Sequence, residues 1–115
     1  MKIKNNWIEP RFPKEQVKKA GVILISSDIS PEDYERAFTI LHNWRSSHAF
    51  PMQIMLDFLR TNALRVDQKA LAVQRLKRVP SIIGKLEREQ NMNLSRMEDI
   101  AGCRAVVSDV KQVLE

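Results

Sequence analysis

Within residues 75–104, five of the cationic side chains, one of the hydroxyls and one of the carboxylates occur at spacings that could bind a polyphosphate. The cations and the hydroxyl belong to Arg75, Lys77, Ser81, Lys85, Arg88 and Arg104, and the carboxylate belongs to Asp99. In an extended segment, residues two apart share a face, so the first two cations point the same way. On a helix, residues 81, 85 and 88 form one stripe. The pattern predicts a dense set of donors, which suits a polyphosphate better than a single carboxylate.

Asp99 is expected to open a strand, and this position suggests a ligand for Mg²⁺. This ion typically takes one or two protein carboxylates together with substrate phosphates. Phosphoryl-type transfer also needs cations that neutralise developing charge and a base that activates the nucleophile. Asp99 and Arg104 lie five residues apart and would face opposite sides of a regular strand. We therefore expect a bulge at Gly102 that brings them to one side.

The same residues also have structural interpretations. Lys85 and Arg88 could form a solvated helix face, Asp99 could be a turn residue, and Arg104 could be a structural ion-pair partner. Residue spacing alone leaves both interpretations open.

Hydrophobic spacing predicts three N-terminal helices. Residues 14–25 carry apolar side chains at helical intervals. The second helix begins after Ser30, a good N-cap, with Pro31 at its first position and acids in its first turn. Pro51 is expected to start the third helix. Trp7 and Phe12 are expected to pin the N-terminal segment to the body of the protein.

From about Asp67 the hydrophobic period changes, and a strand–helix–strand–helix unit follows. The alternation after this residue predicts a short strand, and residues 80–90 form the next helix, with Pro80 in its first turn. Residues 99–108 are predicted to be the second strand, and a last helix is expected to begin near Asp109. The fold class is therefore α+β.

Length, composition and charge limit the classes of function that this chain can have. The chain has 115 residues, enough for one domain, and a formal net charge of +5 with a pI near 9.7. Such a charge favours anionic partners, although many small domains are simply basic. The single Cys103 excludes an intrachain disulfide and favours a reducing compartment. The longest apolar run, Val22 to Ile25, is too short for a membrane span, so we expect no membrane association and a cytoplasmic location.

Three pieces of the pattern together resemble a known family. Arg75-x-Lys77, Ser81-Ile-x-x-Lys85 and Asp99-Ile-Ala-Gly-x-Arg104 look like the first half of the synthetase domain of RelA/SpoT-type alarmone synthetases. The resemblance covers residues 70–107, and Asn43-Trp-Arg-x-x-His-x-x-Pro51 is similar to the helical lead-in of small family members.

The resemblance implies a reaction and a set of roles. The family transfers pyrophosphate from ATP to the 3′ hydroxyl of GDP or GTP, in guanosine tetraphosphate metabolism. By this resemblance Asp99 would bind Mg²⁺, while ATP phosphates and adenine would be held by Arg75, Lys77, Ser81, Lys85, Arg88 and Arg104. It also implies that residues 1–66 are a helical region and that residues 67–115 are part of a nucleotidyltransferase-like mixed sheet.

The family pattern extends further than this chain. Family members continue past a third strand to a guanine-stacking tyrosine loop and to a glutamate that acts with the aspartate. The sequence ends at Glu115, so we expect an incomplete sheet without the acceptor half or the catalytic glutamate, inactive on its own. An exposed sheet edge would favour self-association, and the three N-terminal helices would hold most of the structure.

Two other functions stay open at this point. One is a toxin of the same fold that pyrophosphorylates the 3′ end of tRNA. The other is a non-catalytic module that binds nucleotide or RNA through the same cations.

Overall fold

The order of helices and strands matches the predicted α+β arrangement. The computed structural model describes residues 7–107. Helices α1 (Lys14–Leu24), α2 (Pro31–Ser46) and α3 (Ala49–Val66) precede strand β1 (Leu71–Leu76) and helix α4 (Val79–Arg88). Two short 3₁₀ turns (Leu94–Arg96 and Glu98–Ile100) then lead into strand β2 (Ala101–Val106). The helix expected near Asp109 lies outside the described residues.

The start of α2 follows its predicted chemistry. The Ser30 hydroxyl accepts a hydrogen bond from the backbone N–H of Asp33 at 3.2 Å, and Pro31 occupies the first turn. Asn43, near the other end of α2, binds the segment before α1. Its amide donates to the carbonyl of Glu9 at 3.0 Å and accepts from the N–H of Arg11 at 2.8 Å. This segment is also pinned by ring contact between Trp7 and Phe50 and by the packing of Phe12 on the core.

The main hydrophobic core joins the first two helices to α4 and the 3₁₀ turns. Its buried members are Val17, Ala20, Leu24, Ala37, Ile40, Leu41, Ile82, Leu86, Leu94, Met97 and Ile100. Gly21 allows a close approach here, because a Cβ at this position would lie 3.1 Å from the Cβ of Leu94. Burial of these apolar side chains holds the turn that carries Asp99 against the helices.

The two strands form an antiparallel pair with one covered face. Leu71 pairs with Val106 and Leu76 pairs with Ala101, in a continuous register. Helix α3 packs against both strands, and the Cys103 thiol lies 3.5 Å from the carbonyl oxygen of Met52 on that helix. Because side chains alternate between the faces of a sheet, Val73, Arg75, Gly102 and Arg104 lie on the opposite, open face.

Several predicted boundaries and placements differ from the structure. The third helix begins at Ala49, two residues before Pro51, because proline is tolerated in a first helical turn. Strand β2 begins at Ala101 rather than at Asp99, since residues 98–100 form a 3₁₀ turn that buries Ile100 completely. Helix α3 lies outside the main core and leaves Phe58 66% exposed. None of the helices within residues 7–107 has the length and apolar character needed to cross a membrane.

Candidate functional site

The carboxylate of Asp99 bridges two lysines that come from different elements. Its Oδ2 lies 2.8 Å from the Lys77 Nζ, and its Oδ1 lies 3.0 Å from the Lys85 Nζ. Lys77 follows β1, Lys85 lies within α4, and Asp99 lies in the 3₁₀ turn before β2. We call these three residues the lysine–aspartate cluster. The fold thus brings together three of the residues predicted for the site.

Partial burial distinguishes this cluster from an ordinary surface ion pair. The lysine side chains are 17% and 19% exposed, while Asp99 is 49% exposed. The lysine stems are therefore packed and their ammonium groups are held close to the carboxylate, which itself remains open to solvent on one side. A ligand approaching from solvent reaches the exposed side of the carboxylate, next to the two ammonium groups that contact it.

The backbone of Lys77 is fixed from two directions. Its carbonyl accepts a 2.7 Å hydrogen bond from the Arg45 Nε of α2, and its N–H donates to the carbonyl of Ile100 at 2.6 Å. Because Ile100 is fully buried, Lys77 is tied to the main core on one side and to α2 on the other. Arg45 is not among the site residues predicted by spacing. The sequence feature that could have pointed to Arg45 is its position in the segment that resembles the family lead-in.

Helix α4 presents the stripe that its sequence predicts. Pro80 lies in the first turn, and Ile82 and Leu86 are buried in the core. On the adjacent side of the helix, Ser81 and Lys85 are half-buried and Arg88 is exposed. A Cβ added to Gly84 would lie 3.2 Å from the Arg88 Nη1, so this guanidinium folds back along the helix.

Two arginines lie on the open face of the sheet beside the cluster. Arg75 pairs with Gly102, and Arg104 pairs with Val73, so the two arginines are diagonal neighbours. Such neighbours have Cα atoms about 7–8 Å apart. Apart from Gly102 itself and its two chain neighbours, no residue has a heavy atom within 4 Å of the place where a Gly102 Cβ would be, so the surface between the arginines is open. A groove of about 590 Å³ follows this part of the sheet, lined by Val73, Gln74, Arg75, Gly102, Cys103 and Arg104.

The prediction of a bulge at Gly102 is wrong. The register runs without interruption through Gly102, whose φ is not positive. The bulge is unnecessary because Asp99 precedes the strand, in the 3₁₀ turn, so the alternation of strand side chains does not determine its direction. Arg104 therefore shares the open face with Arg75, while Asp99 reaches the lysines from the end of the sheet.

The two lysines keep Asp99 ionised. Hydrogen bonds from Lys77 and from Lys85, in that order of effect, lower the pKa of this carboxyl from 3.8 to about 2. Two ammonium groups and one carboxylate leave the cluster with one net positive charge at neutral pH. Counted with Arg75 and Arg104, these predicted site residues carry three net positive charges, which favours an anionic ligand.

A second groove borders the cluster at Lys85 and Asp99. It has a volume of about 640 Å³ and is lined by Lys85, Glu89, Gln90, Asn91, Met92, Arg96, Glu98 and Asp99. The Arg96 guanidinium, which spacing did not single out, donates to the carbonyl of Asn91. Lys85 and Asp99 border this groove, while Lys77 continues from the strand that carries Arg75.

The donor set fits Mg²⁺ only when phosphates share the ion. Within residues 7–107 no three His, Cys, Asp or Glu side chains are grouped so that they could hold a metal among themselves. Asp99 supplies one carboxylate, which suffices for Mg²⁺ where substrate oxygens and water complete the octahedron. A Mg²⁺ ion at Asp99 would therefore take its other ligands from a substrate polyphosphate or from water.

Comparisons of the chain with protein-family models and with curated proteins find no match.

Proposed function

We propose that this chain binds ATP with Mg²⁺ as the donor-binding part of a RelA/SpoT-like nucleotide pyrophosphotransferase, whose acceptor would be the 3′ hydroxyl of GDP or GTP. The lysine–aspartate cluster is the observation that carries this proposal. It combines two phosphate-binding cations with a metal-binding carboxylate at the end of an open, arginine-bearing sheet face. The nucleotidyltransferase-like assignment of the fold belongs to the same proposal, supported by the order of β1, α4 and β2.

The phosphates are assigned to the cluster and to α4. Lys77 and Lys85 have ammonium groups held within reach of one point, where charge-assisted hydrogen bonds to phosphate oxygens are strong. The Ser81 hydroxyl lies one helical turn before Lys85 on the same stripe. Arg88 extends this stripe by one more turn. The β- and γ-phosphates of ATP would lie along these donors.

The adenine is assigned to the two arginines of the open face. Guanidinium groups are planar and stack on aromatic rings, which makes them suitable partners for a base. Arg75 and Arg104 are diagonal neighbours, and Gly102 leaves the surface between them free of side-chain atoms. A base lying in this groove would contact both guanidinium groups.

Asp99 is assigned to the metal. When bound with the phosphates, Mg²⁺ would supply neutralisation of the charge that develops during pyrophosphoryl transfer. Asp99 would hold this ion through a carboxylate that stays ionised and half-exposed. The lysines on both sides of it confine the phosphates to the same place.

The open sheet face favours a second candidate function. Its exposed arginines, together with the exposed Val73 and Val106, form a basic and partly apolar surface that could bind nucleotide or RNA without catalysis. A tRNA 3′ end as the acceptor of the same transfer would use this surface too. Competition between ATP and RNA distinguishes these candidates from the main proposal.

Calorimetric titration tests the proposal. We expect Mg–ATP to bind more tightly than Mg–tripolyphosphate, because only ATP offers a base to the arginine pair. A single-stranded RNA of about ten nucleotides is expected to bind weakly and to be displaced by Mg–ATP. Absence of Mg–ATP binding by the folded protein would contradict the proposal. Tight RNA binding that Mg–ATP does not displace would favour the non-catalytic module.

A further inference from the structure

Both oxygens of the Asp99 carboxylate are already occupied by protein cations. One oxygen contacts the Lys77 ammonium at 2.8 Å and the other contacts the Lys85 ammonium at 3.0 Å. These two lysines are the ones that a bound polyphosphate would need in this place. Asp99 therefore competes with any anion that binds to them.

This competition weakens the binding of a metal-free polyphosphate most strongly. Whether the polyphosphate shares the ammonium groups with Asp99 or draws them away, its negative charge comes close to the carboxylate with no metal ion between them. The carboxylate is 49% exposed, so water relieves part of this repulsion. The remaining part opposes binding.

A polyphosphate that carries a divalent cation avoids this conflict. If the lysines turned to the phosphate oxygens, Asp99 would hold the metal, and the carboxylate would keep a positive neighbour. The exchange preserves charge pairing for all three residues of the cluster. The same carboxylate thus opposes one form of the ligand and favours the other.

We propose that Asp99 is a selectivity residue that makes this site take metal-complexed polyphosphates and reject metal-free ones. This inference rests on the proposed function, in that the cluster binds polyphosphate. It adds that the carboxylate reduces affinity for the metal-free ligand, which a role as a metal ligand alone does not require. It also implies that Mg²⁺ without phosphate binds poorly, because the lysines hold the carboxylate.

Inorganic tripolyphosphate, titrated calorimetrically either in EDTA or in excess Mg²⁺, tests the selectivity. In EDTA, Asp99→Asn is expected to bind this probe about tenfold more tightly than the parent protein, because the competing charge is gone. Adding Mg²⁺ is expected to strengthen binding by the parent and to strengthen binding by the variant much less. Circular dichroism establishes that both proteins are folded.

Glu98→Gln is the matched control. It removes the same charge from the neighbouring residue of the same turn, and Glu98 is exposed and makes no ion pair with another residue in the range 7–107. Its affinity for tripolyphosphate in EDTA is expected to stay within about twofold of the parent value. A gain as large as that of Asp99→Asn would show a general charge effect and would overturn the proposal.

A measurement on the parent protein tests the same inference without any substitution. The carbon-13 signal of the Asp99 carboxylate is expected to stay in place when Mg²⁺ is added alone, and to move when Mg²⁺ and tripolyphosphate are added together. Movement with Mg²⁺ alone at the same concentration would contradict the lysine competition.

The outcomes separate the two proposals. If the parent protein binds Mg–tripolyphosphate but Asp99→Asn gains nothing in EDTA, the selectivity inference is wrong and the proposed function stands. If the parent binds tripolyphosphate neither with nor without Mg²⁺, both are wrong.

Discussion

Lys77 is the residue on which most of the proposed site depends. Its ammonium contacts Asp99, and its backbone is held by Arg45 and Ile100. A side chain fixed in this way loses little further freedom when it binds an anion, because the backbone and most of the stem are already ordered. This preorganisation distinguishes it from the exposed lysines of the same chain.

Lys77→Ala is expected to weaken Mg–ATP binding by about tenfold or more. A hydrogen bond to a charged group contributes about 1.5–3 kcal/mol, which corresponds to this loss of affinity. Lys69→Ala is the control, since Lys69 is an exposed lysine outside the cluster and its side chain is expected to matter little. Isothermal titration calorimetry gives both affinities. Equal affinities for Lys77→Ala and the parent protein would remove this residue from the site.

The lowered pKa of Asp99 makes part of the stability depend on pH. A carboxyl whose pKa in the folded protein is about 2, against an ordinary 3.8, stabilises the fold above the higher value. This contribution is lost as the pH falls from about 4 to about 2. Asp99→Asn should lack this component, so its stability should fall less steeply than that of the parent protein over the same pH range.

Urea denaturation at a series of pH values measures this difference. Glu98→Gln provides the control, because it leaves the lysine–aspartate cluster intact and should keep the slope of the parent protein. Parallel pH profiles for Asp99→Asn and the parent would show that the two lysines do not stabilise the folded state through this carboxyl.

At the scale of elements, α2 positions the end of β1. The link is the hydrogen bond from the Arg45 Nε to the carbonyl of Lys77, which joins residues 32 positions apart at 2.7 Å. The helix is itself held in the main core through Ala37, Ile40 and Leu41. Arg45 therefore acts as a positioning residue, since its contact with the site runs through the backbone of Lys77.

Arg45→Met is expected to lower the free energy of unfolding by about 1–2 kcal/mol, because a partly buried carbonyl loses its donor. It is also expected to weaken Mg–ATP binding by a few-fold, less than Lys77→Ala does. Arg36→Met is the control, since Arg36 is an exposed arginine on the same helix. Chemical denaturation and calorimetry measure the two effects. An Arg45→Met protein that loses stability but keeps full Mg–ATP affinity would contradict the positioning role.

At the scale of the whole molecule, the helices of the main core are more tightly packed than the two strands. The main core lies between α1, α2, α4 and the 3₁₀ turns, while β1 and β2 rest on α3 and leave their other face open. Val73 and Val106 are 40% and 47% exposed on that face. Two strands covered on one side have little stability of their own, so the sheet depends on the helices beside it.

Hydrogen exchange is expected to follow this division. Amides of Leu41 and Leu86 should exchange only through global unfolding, whereas those of Ala105 and Val106 should exchange through local opening of lower free energy. Leu56 of α3 should show intermediate protection, because α3 lies outside the main core. Exchange monitored by NMR at a monomeric concentration measures these rates. Equal protection of Ala105 and Leu41 would mean that the sheet is as stable as the core.

Local chemistry in the sequence was sufficient to predict most elements of residues 7–107 and to single out the three residues that the fold brings together in the lysine–aspartate cluster. The Ser30 cap and Pro31 locate the start of α2, and helical spacing identifies Ile82 and Leu86 as the buried side of α4. The alternation after Asp67 identifies β1. These features depend on neighbours within one turn or one strand, which is why the sequence alone determines them.

Only the tertiary structure decided how these parts meet. The pairing of Asp99 with both lysines, the contact of Arg45 with Lys77 and the absence of a bulge at Gly102 all depend on residues far apart in the chain. The same is true of the exclusion of α3 from the main core, although its apolar spacing resembles that of the core helices. Spacing tells which side of an element is apolar, but the packing of other elements decides which apolar side is buried and which charges become neighbours.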